Sequence, residues 1–166
     1  MQSKDLLISA LQVSHALTVP LLEDLKDAAM QPPTPNGGNH PTWVAGHLAY
    51  GEGNLFWHMM RGEPNPLAEH AEILDGGSQP SDDPSVYPPI EELIAKYCEL
   101  REQTMALLES LSEEDLDQSS VNCPEEYRGF FGTWRQCFLS AALHGMMHRG
   151  QLADSRKALG RDPIMA

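Results

Sequence analysis

Two histidines four residues apart, His144 and His148 in the run AALHGMMHRGQL, carry the clearest chemistry in the chain. On a helix that spacing puts both imidazoles on one face, about 6 Å apart along the axis, where one ion can bridge them. Cys137, Phe138, Ala141, Gly145 and Leu152 mark the same inward seam at a helical period. Imidazoles aimed at a core need partners, because a buried polar group without one costs about 1–3 kcal/mol. His47, in PTWVAGHLAYGEG, is the candidate third ligand, from a different helix. Three neutral imidazoles on one divalent ion leave positions open, as in catalytic zinc sites, and nickel, iron or manganese accept the same donors. The expected metal ligands are therefore His47, His144 and His148. No HExxH is present, so the glutamate base of a metalloprotease is missing, and no Glu-x-x-His pair with matching carboxylates supports a di-iron bundle.

The remaining histidines have plainer readings. His58 lies three turns beyond His47, about 16 Å along the axis, too far to share its ion. His15 falls off the best apolar seam of its helix, and His40 and His70 occupy capping or loop positions. Glu52 reads as a solvated side chain, Trp43 and Trp134 as core anchors, and Met146 and Met147 as packing residues flanking the ligand face.

Four long helical patterns must position these groups. The first starts after Ser3 as N-cap and runs to about Met30, with a seam of Leu6, Leu7, Ala10, Val13, Leu17, Leu21, Leu25 and Ala28 and a kink expected at Pro20. The run QPPTPNGGN is a loop. The second helix opens at Pro41, capped by Asn39 or His40, presents Trp43, His47, Leu48, Gly51, Leu55, His58 and Met59, and stops at Arg61-Gly62. Residues 62–87 form a long crossover or lid. The third helix follows Pro88-Pro89 and buries Ile90, Leu93, Ile94, Tyr97, Leu100, Arg101, Thr104, Leu107, Leu108 and Leu111. A short turn is expected after Ser112, then irregular chain from 117 to 132. The fourth helix opens on a Thr133–Gln136 capping box and ends at Leu159-Gly160. This is the pattern of an all-α four-helix bundle, expected to occupy residues 1–166 as one domain.

Composition narrows the partners. The net charge is −13, from 24 acidic against 11 basic residues, and the basic residues are scattered, which argues against nucleic acid and anionic membranes. No apolar run approaches the roughly 20 residues of a membrane span, and MQSKDLLIS lacks a signal-peptide core. Cys98, Cys123 and Cys137 are far apart and odd in number, which suits a reducing, cytoplasmic compartment. Cys137 reads as a packed thiol.

NHPTWVAGHLAYGEG, with a Trp four residues before His47, resembles the second-helix motif of the DinB/YfiT-like metalloprotein superfamily. HGMMHRGQL resembles that family's fourth-helix H-x3-H motif followed by Gln, and LLESLSEEDLDQ resembles the end of its third helix. The resemblance implies an up-down-down-up bundle, a divalent metal on His47, His144 and His148, and a homodimer. It also implies kinship with S-transferases and isomerases that use bacillithiol, mycothiol or glutathione.

An open metal site can lower the pKa of bound water or ionise a bound thiol. The leading expectation is metal activation of a nucleophile, a low-molecular-weight thiol attacking a small electrophile or a water in a hydrolase. A non-catalytic bundle that binds metal or a small ligand, and a purely structural bundle with three core histidines, are the alternatives. Trp43, Gly46, Gly51 and Gly145 are expected to line the site, with 62–87 and 117–132 covering its mouth. No general base is assigned.

Overall fold

The structure, a computed structural model, describes residues 2–28, 30, 33–34 and 37–164. Among these the chain is all-helical and has no strand. Four long helices, α1 (Ser3–Asp24), α2 (Pro41–Gly53), α4 (Ile90–Ser110) and α6 (Trp134–Ala158), pack together, and two one-turn helices, α3 (Ala71–Leu74) and α5 (Arg128–Phe131), sit in the connections. Part of the loop expected at 31–39, residues 31, 32, 35 and 36, lies outside the described residues.

The first helix is shorter than its periodicity predicts and is rotated. It ends at Asp24, and Gln2 rather than Ser3 is its N-cap. Its buried stripe is Leu7, Leu11, Ser14, Thr18, Leu21 and Leu22, while Leu6 and Val13 are more than half exposed. Two buried hydroxyls interrupt the apolar pattern, so a count of apolar residues finds the wrong face. The helix continues through Pro20, which sits on the exposed side, where water can solvate the carbonyl it leaves unpaired. By length and composition alone α1 is long and apolar enough to cross a bilayer, which the run-length reading missed; 33 % of that stretch is buried in the structure.

In α2 every residue except Gly51 is buried. Pro41 occupies its first turn, and the cap is His40, whose Nδ1 accepts from the Trp43 N–H at 3.1 Å. The helix then widens into a π-helical turn, Asn54–Met59, that the sequence reading took as plain α-helix. The wider turn shifts the register. Phe56 and Met60 become fully buried and His58 turns outward. A positive φ of 72° at Gly62 ends the segment.

The stripe of α4 matches expectation, with Ile90, Leu93, Ile94, Tyr97, Leu100, Arg101, Thr104 and Leu108 buried and Leu107 and Leu111 half-buried. The short turn after Ser112 forms at Asp115–Asp117. Residues 117–132 are more ordered than predicted, holding a 3-10 turn, Glu125–Tyr127, and α5. The Thr133–Gln136 capping box opens α6, and Gly160, at φ 69°, closes it.

The apolar core falls into two clusters. One gathers Leu21, Leu22 and Leu25 of α1, the first half of α2, the first half of α4 and Leu152 of α6. The other gathers Leu7, Leu11, Phe56, Met60, Leu108, Cys137, Phe138, Ala141 and Ala142. Between them each long helix contributes buried polar groups: Ser14 and Thr18, Glu52, Arg101 and Thr104, and His148. The candidate site belongs to this middle layer.

Candidate metal centre

The structure brings His47, His144 and His148 together. Nε2 of His144 lies 3.0 Å from Nε2 of His47 and 3.0 Å from Nε2 of His148. One ligand atom from each residue falls within 4.8 Å of the other two, a spacing one ion can serve.

The other ring nitrogens fix the tautomers. His47 Nδ1 is 2.7 Å from the Leu74 carbonyl oxygen, which can only accept, so Nδ1 carries the proton and Nε2 bears a lone pair. His148 Nδ1 donates to Gln151 Oε1 at 2.8 Å, which leaves its Nε2 bare as well. His144 can donate one N–H to one of these neighbours at most. At least one pair of lone pairs therefore faces across the cluster, and a cation between the three nitrogens resolves that repulsion. Ligating histidines held by their second nitrogen to a carbonyl or amide oxygen are the common pattern in metal sites. The donor set fits a divalent transition metal.

The surroundings keep the imidazoles neutral. Burial, then the neighbouring His148 and His47 and the Arg101 charge, hold His144 down to about 2. Burial and His47 hold His148 to about 4 against the opposing Gln151 bond. Burial lowers His47 too, more than the Leu74 bond and Asp75 raise it. Neutral imidazole is the form that coordinates.

Residues that the sequence reading assigned elsewhere support the cluster. Asn39, proposed as a cap, donates from Nδ2 to Gln151 Oε1 at 3.1 Å and so orients the acceptor of His148. Trp43 stacks on His47 with ring centroids 4.4 Å apart and planes 13° apart, and its indole N–H donates to Ser78 Oγ at 3.1 Å. The 62–87 connection is thus built into the site through Leu74 and Ser78. A Cβ at Gly51 would sit 3.0 Å from His144 Cε1, and one at Gly46 would collide with Leu74, so both glycines make room for the site. Gly145 does not line it: its missing side chain makes room for Ser14 on α1.

Glu52 is a correction. Expected in solvent, it is buried, 2.8 Å from Arg101, with both side chains 3 % exposed. Burial works against the Arg101 charge, yet Glu52 and Tyr97 outweigh it and hold the guanidinium above its ordinary pKa. The signal was available: Arg101 fell on the inward stripe of its helix, and a buried arginine needs a carboxylate. Met147 also departs from expectation, being 59 % exposed at the site's mouth rather than packed. His58 is exposed, His15 sits beside Tyr97 with its ring tilted, and His70 is half-buried beside Glu69; none joins the cluster. Trp134 is only half-buried.

Beside His47 and His144 opens a cavity of about 590 Å³. Asp75 and Gly76 enter its wall from the 62–87 connection, and Tyr127, Phe130 and Phe131 from the 117–132 segment, with Leu143 and Met147 of α6. Both segments expected to cover the mouth do line it. No lysine or arginine is among the lining residues.

Three convergent histidines from two helices, two of them anchored through their second ring nitrogen, define an all-helical protein compatible with metal binding. The model of the DinB superfamily matches residues 10–152, and the chain belongs to that family. No curated protein matches the chain.

Proposed function

We propose that the chain, as one domain over residues 1–166, is a four-helix bundle of up-down-down-up order that holds a divalent transition metal on His47, His144 and His148 and catalyses S-transfer from a low-molecular-weight thiol to a small electrophile. The order rests on the two apolar clusters: α1 and α6 reach one cluster first, α2 and α4 the other. The metal assignment rests on the facing Nε2 lone pairs, the observation that carries the proposal. A bound divalent ion with open positions would ionise a thiol, or water, at neutral pH.

The protein's own groups do the rest. Leu74 and Gln151 hold two imidazoles in the coordinating tautomer. Tyr127, Phe130, Phe131 and Leu143 offer an apolar wall against which a small electrophile can pack. The cavity's volume lies in the range of small-molecule sites. Asp75 is the only carboxylate in the lining; it is exposed and accepts the Gly76 N–H at 2.8 Å, closing its own turn. No base is therefore positioned in the lining, and a thiol ionised by coordination needs none. The free cysteines suit a reducing cytoplasm, and a homodimer is the proposed assembly.

The test loads metal-free protein with zinc, nickel, iron or manganese and follows bacillithiol, mycothiol, glutathione and coenzyme A against a fluorogenic electrophile. Turnover that needs metal and is lost in His148→Ala supports the proposal. If no thiol reacts faster with loaded than with metal-free protein, S-transfer is wrong, and ester hydrolysis by the same preparations separates a hydrolase from a binding bundle.

A further inference from the structure

We propose that a second site, a groove between the C-terminal half of α1 and the C-terminal half of α6, binds a small organic anion with an apolar body. The groove encloses about 510 Å³ and is independent of the histidine cluster. Arg149, Ala153, Arg156 and Lys157 recur at helical spacing on α6, on the side roughly opposite His144 and His148.

Charge is the first argument. The chain has 11 lysines and arginines and a net charge of −13, yet four of those cations, Arg149, Arg156, Lys157 and Arg161, line this one groove against a single lining carboxylate, Asp154. Two have work inside the fold. Arg156 holds Asp24 at 2.8 Å, and Arg161 holds Asp24 at 3.0 Å and Asp27 at 2.7 Å, tying the end of α6 to the end of α1. Arg149 and Lys157 have no ion-pair partner among the described residues. Complementing the α6 dipole accounts for cations in the last turn, at Arg156 and Lys157, but not for Arg149, more than two turns from the helix end.

Unmet hydrogen bonding is the second argument. Arg149 Nε and Arg156 Nη1 are buried from solvent and have no acceptor among the described residues. Neither Arg149 nor Lys157 makes a side-chain hydrogen bond among the described residues, so their remaining donors are unspent and favour a charge-assisted bond to an acidic group in the groove. The third argument is the floor. Leu17, Pro20 and Leu21 of α1, with Ile164, present an apolar surface below the cations. A carboxylate, sulfonate or phosphate on a hydrocarbon or aromatic body meets both features; a bare inorganic anion meets one.

The test uses 8-anilinonaphthalene-1-sulfonate and its uncharged relative N-phenyl-1-naphthylamine as probes, followed by fluorescence and by amide shifts of the metal-loaded protein. The sulfonate should bind with one equivalent per chain, shifting Ala153 and Ile164, and the double variant Arg149→Gln/Lys157→Gln should weaken it about tenfold or more, the loss of a charge-assisted contact. Arg149→Lys/Lys157→Arg, which keeps the charges, should retain most of the affinity and shows that the site tolerates substitution. Phe130→Ala, at the mouth of the other cavity, should leave it unchanged. Equal binding of the charged and uncharged probes, shifts confined to the histidine cavity, or insensitivity to the Gln double variant overturns the proposal, and none of these results bears on S-transfer.

Discussion

Glu52 and Arg101, 2.8 Å apart and each 3 % exposed, bring opposite charges into the same layer of the core where His47, His144 and His148 bring none. The ion pair supplies its own counter-charge, while Glu52 Oε1 and Arg101 Nε find no hydrogen-bond partner among the described residues. The histidine cluster holds no charge of either sign: the second nitrogens of His47 and His148 are spent on Leu74 and Gln151, while the three Nε2 atoms face one another. Desolvation explains the difference. A full charge enters a core only with its counter-charge, whereas a neutral imidazole enters with one hydrogen bond and keeps a lone pair in reserve. The pair is therefore a matter of folding, and the cluster a matter of binding.

The largest effect should come from breaking the pair. Glu52→Ala strands the Arg101 charge and is expected to destabilise the protein by about 3–5 kcal/mol in urea unfolding, while Glu52→Met/Arg101→Met recovers much of the loss. A single variant within about 1 kcal/mol of the parent would mean that the two clusters do not differ as argued.

Acid should act on the histidines next. In metal-free protein their folded pKa values lie below the ordinary 6.5, near 4 for His148 and near 2 for His144, so the unfolded chain binds more protons. Stability then falls as pH falls, beginning below about 6.5 and costing up to about 1.4 kcal/mol per pH unit for each histidine. For His148 the loss is complete near pH 4. Denaturation midpoints between about pH 7.5 and pH 5 check this, and a flat profile contradicts the burial of neutral imidazoles.

Metal should sharpen the contrast. At 100 times its dissociation constant a bound ion adds about 2.7 kcal/mol of stability. His144→Ala should abolish that gain, and Gln151→Ala, which frees His148 to rotate, should weaken metal affinity by about 10–100-fold. Isothermal titration reads both; full affinity in Gln151→Ala would remove Gln151 from the site. The smallest effect belongs to a control outside both clusters: Thr133→Ala loses the α6 cap, about 1 kcal/mol, with metal affinity unchanged.

The readable features were those with local causes. The Thr133–Gln136 box, the α4 stripe and the i, i+4 histidines follow from helical geometry alone. Glu52 itself carried no mark, since α2 is buried on nearly all sides; the mark lay on its partner, Arg101, inside the α4 stripe. Ser14 and Thr18 hid the true stripe of α1 in the same way, polar residues holding core positions because they share a layer with other polar groups. The role of Leu74 had no signal at all, since it acts through a backbone carbonyl placed by a 26-residue connection whose path depends on the rest of the fold.

The π-helical turn at Asn54–Met59 bears on how this protein tolerates change. A turn of this kind is one residue wider than an α-turn, so it carries the equivalent of a tolerated insertion within the helix. Upstream of it lies His47; within it lies Phe56 and just after it Met60, both in the second apolar cluster. The joint divides one helix: residues before it carry His47 and pack in the first apolar cluster, residues from it onward pack in the second. A one-residue deletion here should restore an ordinary helix, leave His47 where it is, and rotate everything after it by about 100°, withdrawing Phe56 and Met60 from the core. Length, rather than residue identity, is the quantity on which the packing of this segment depends.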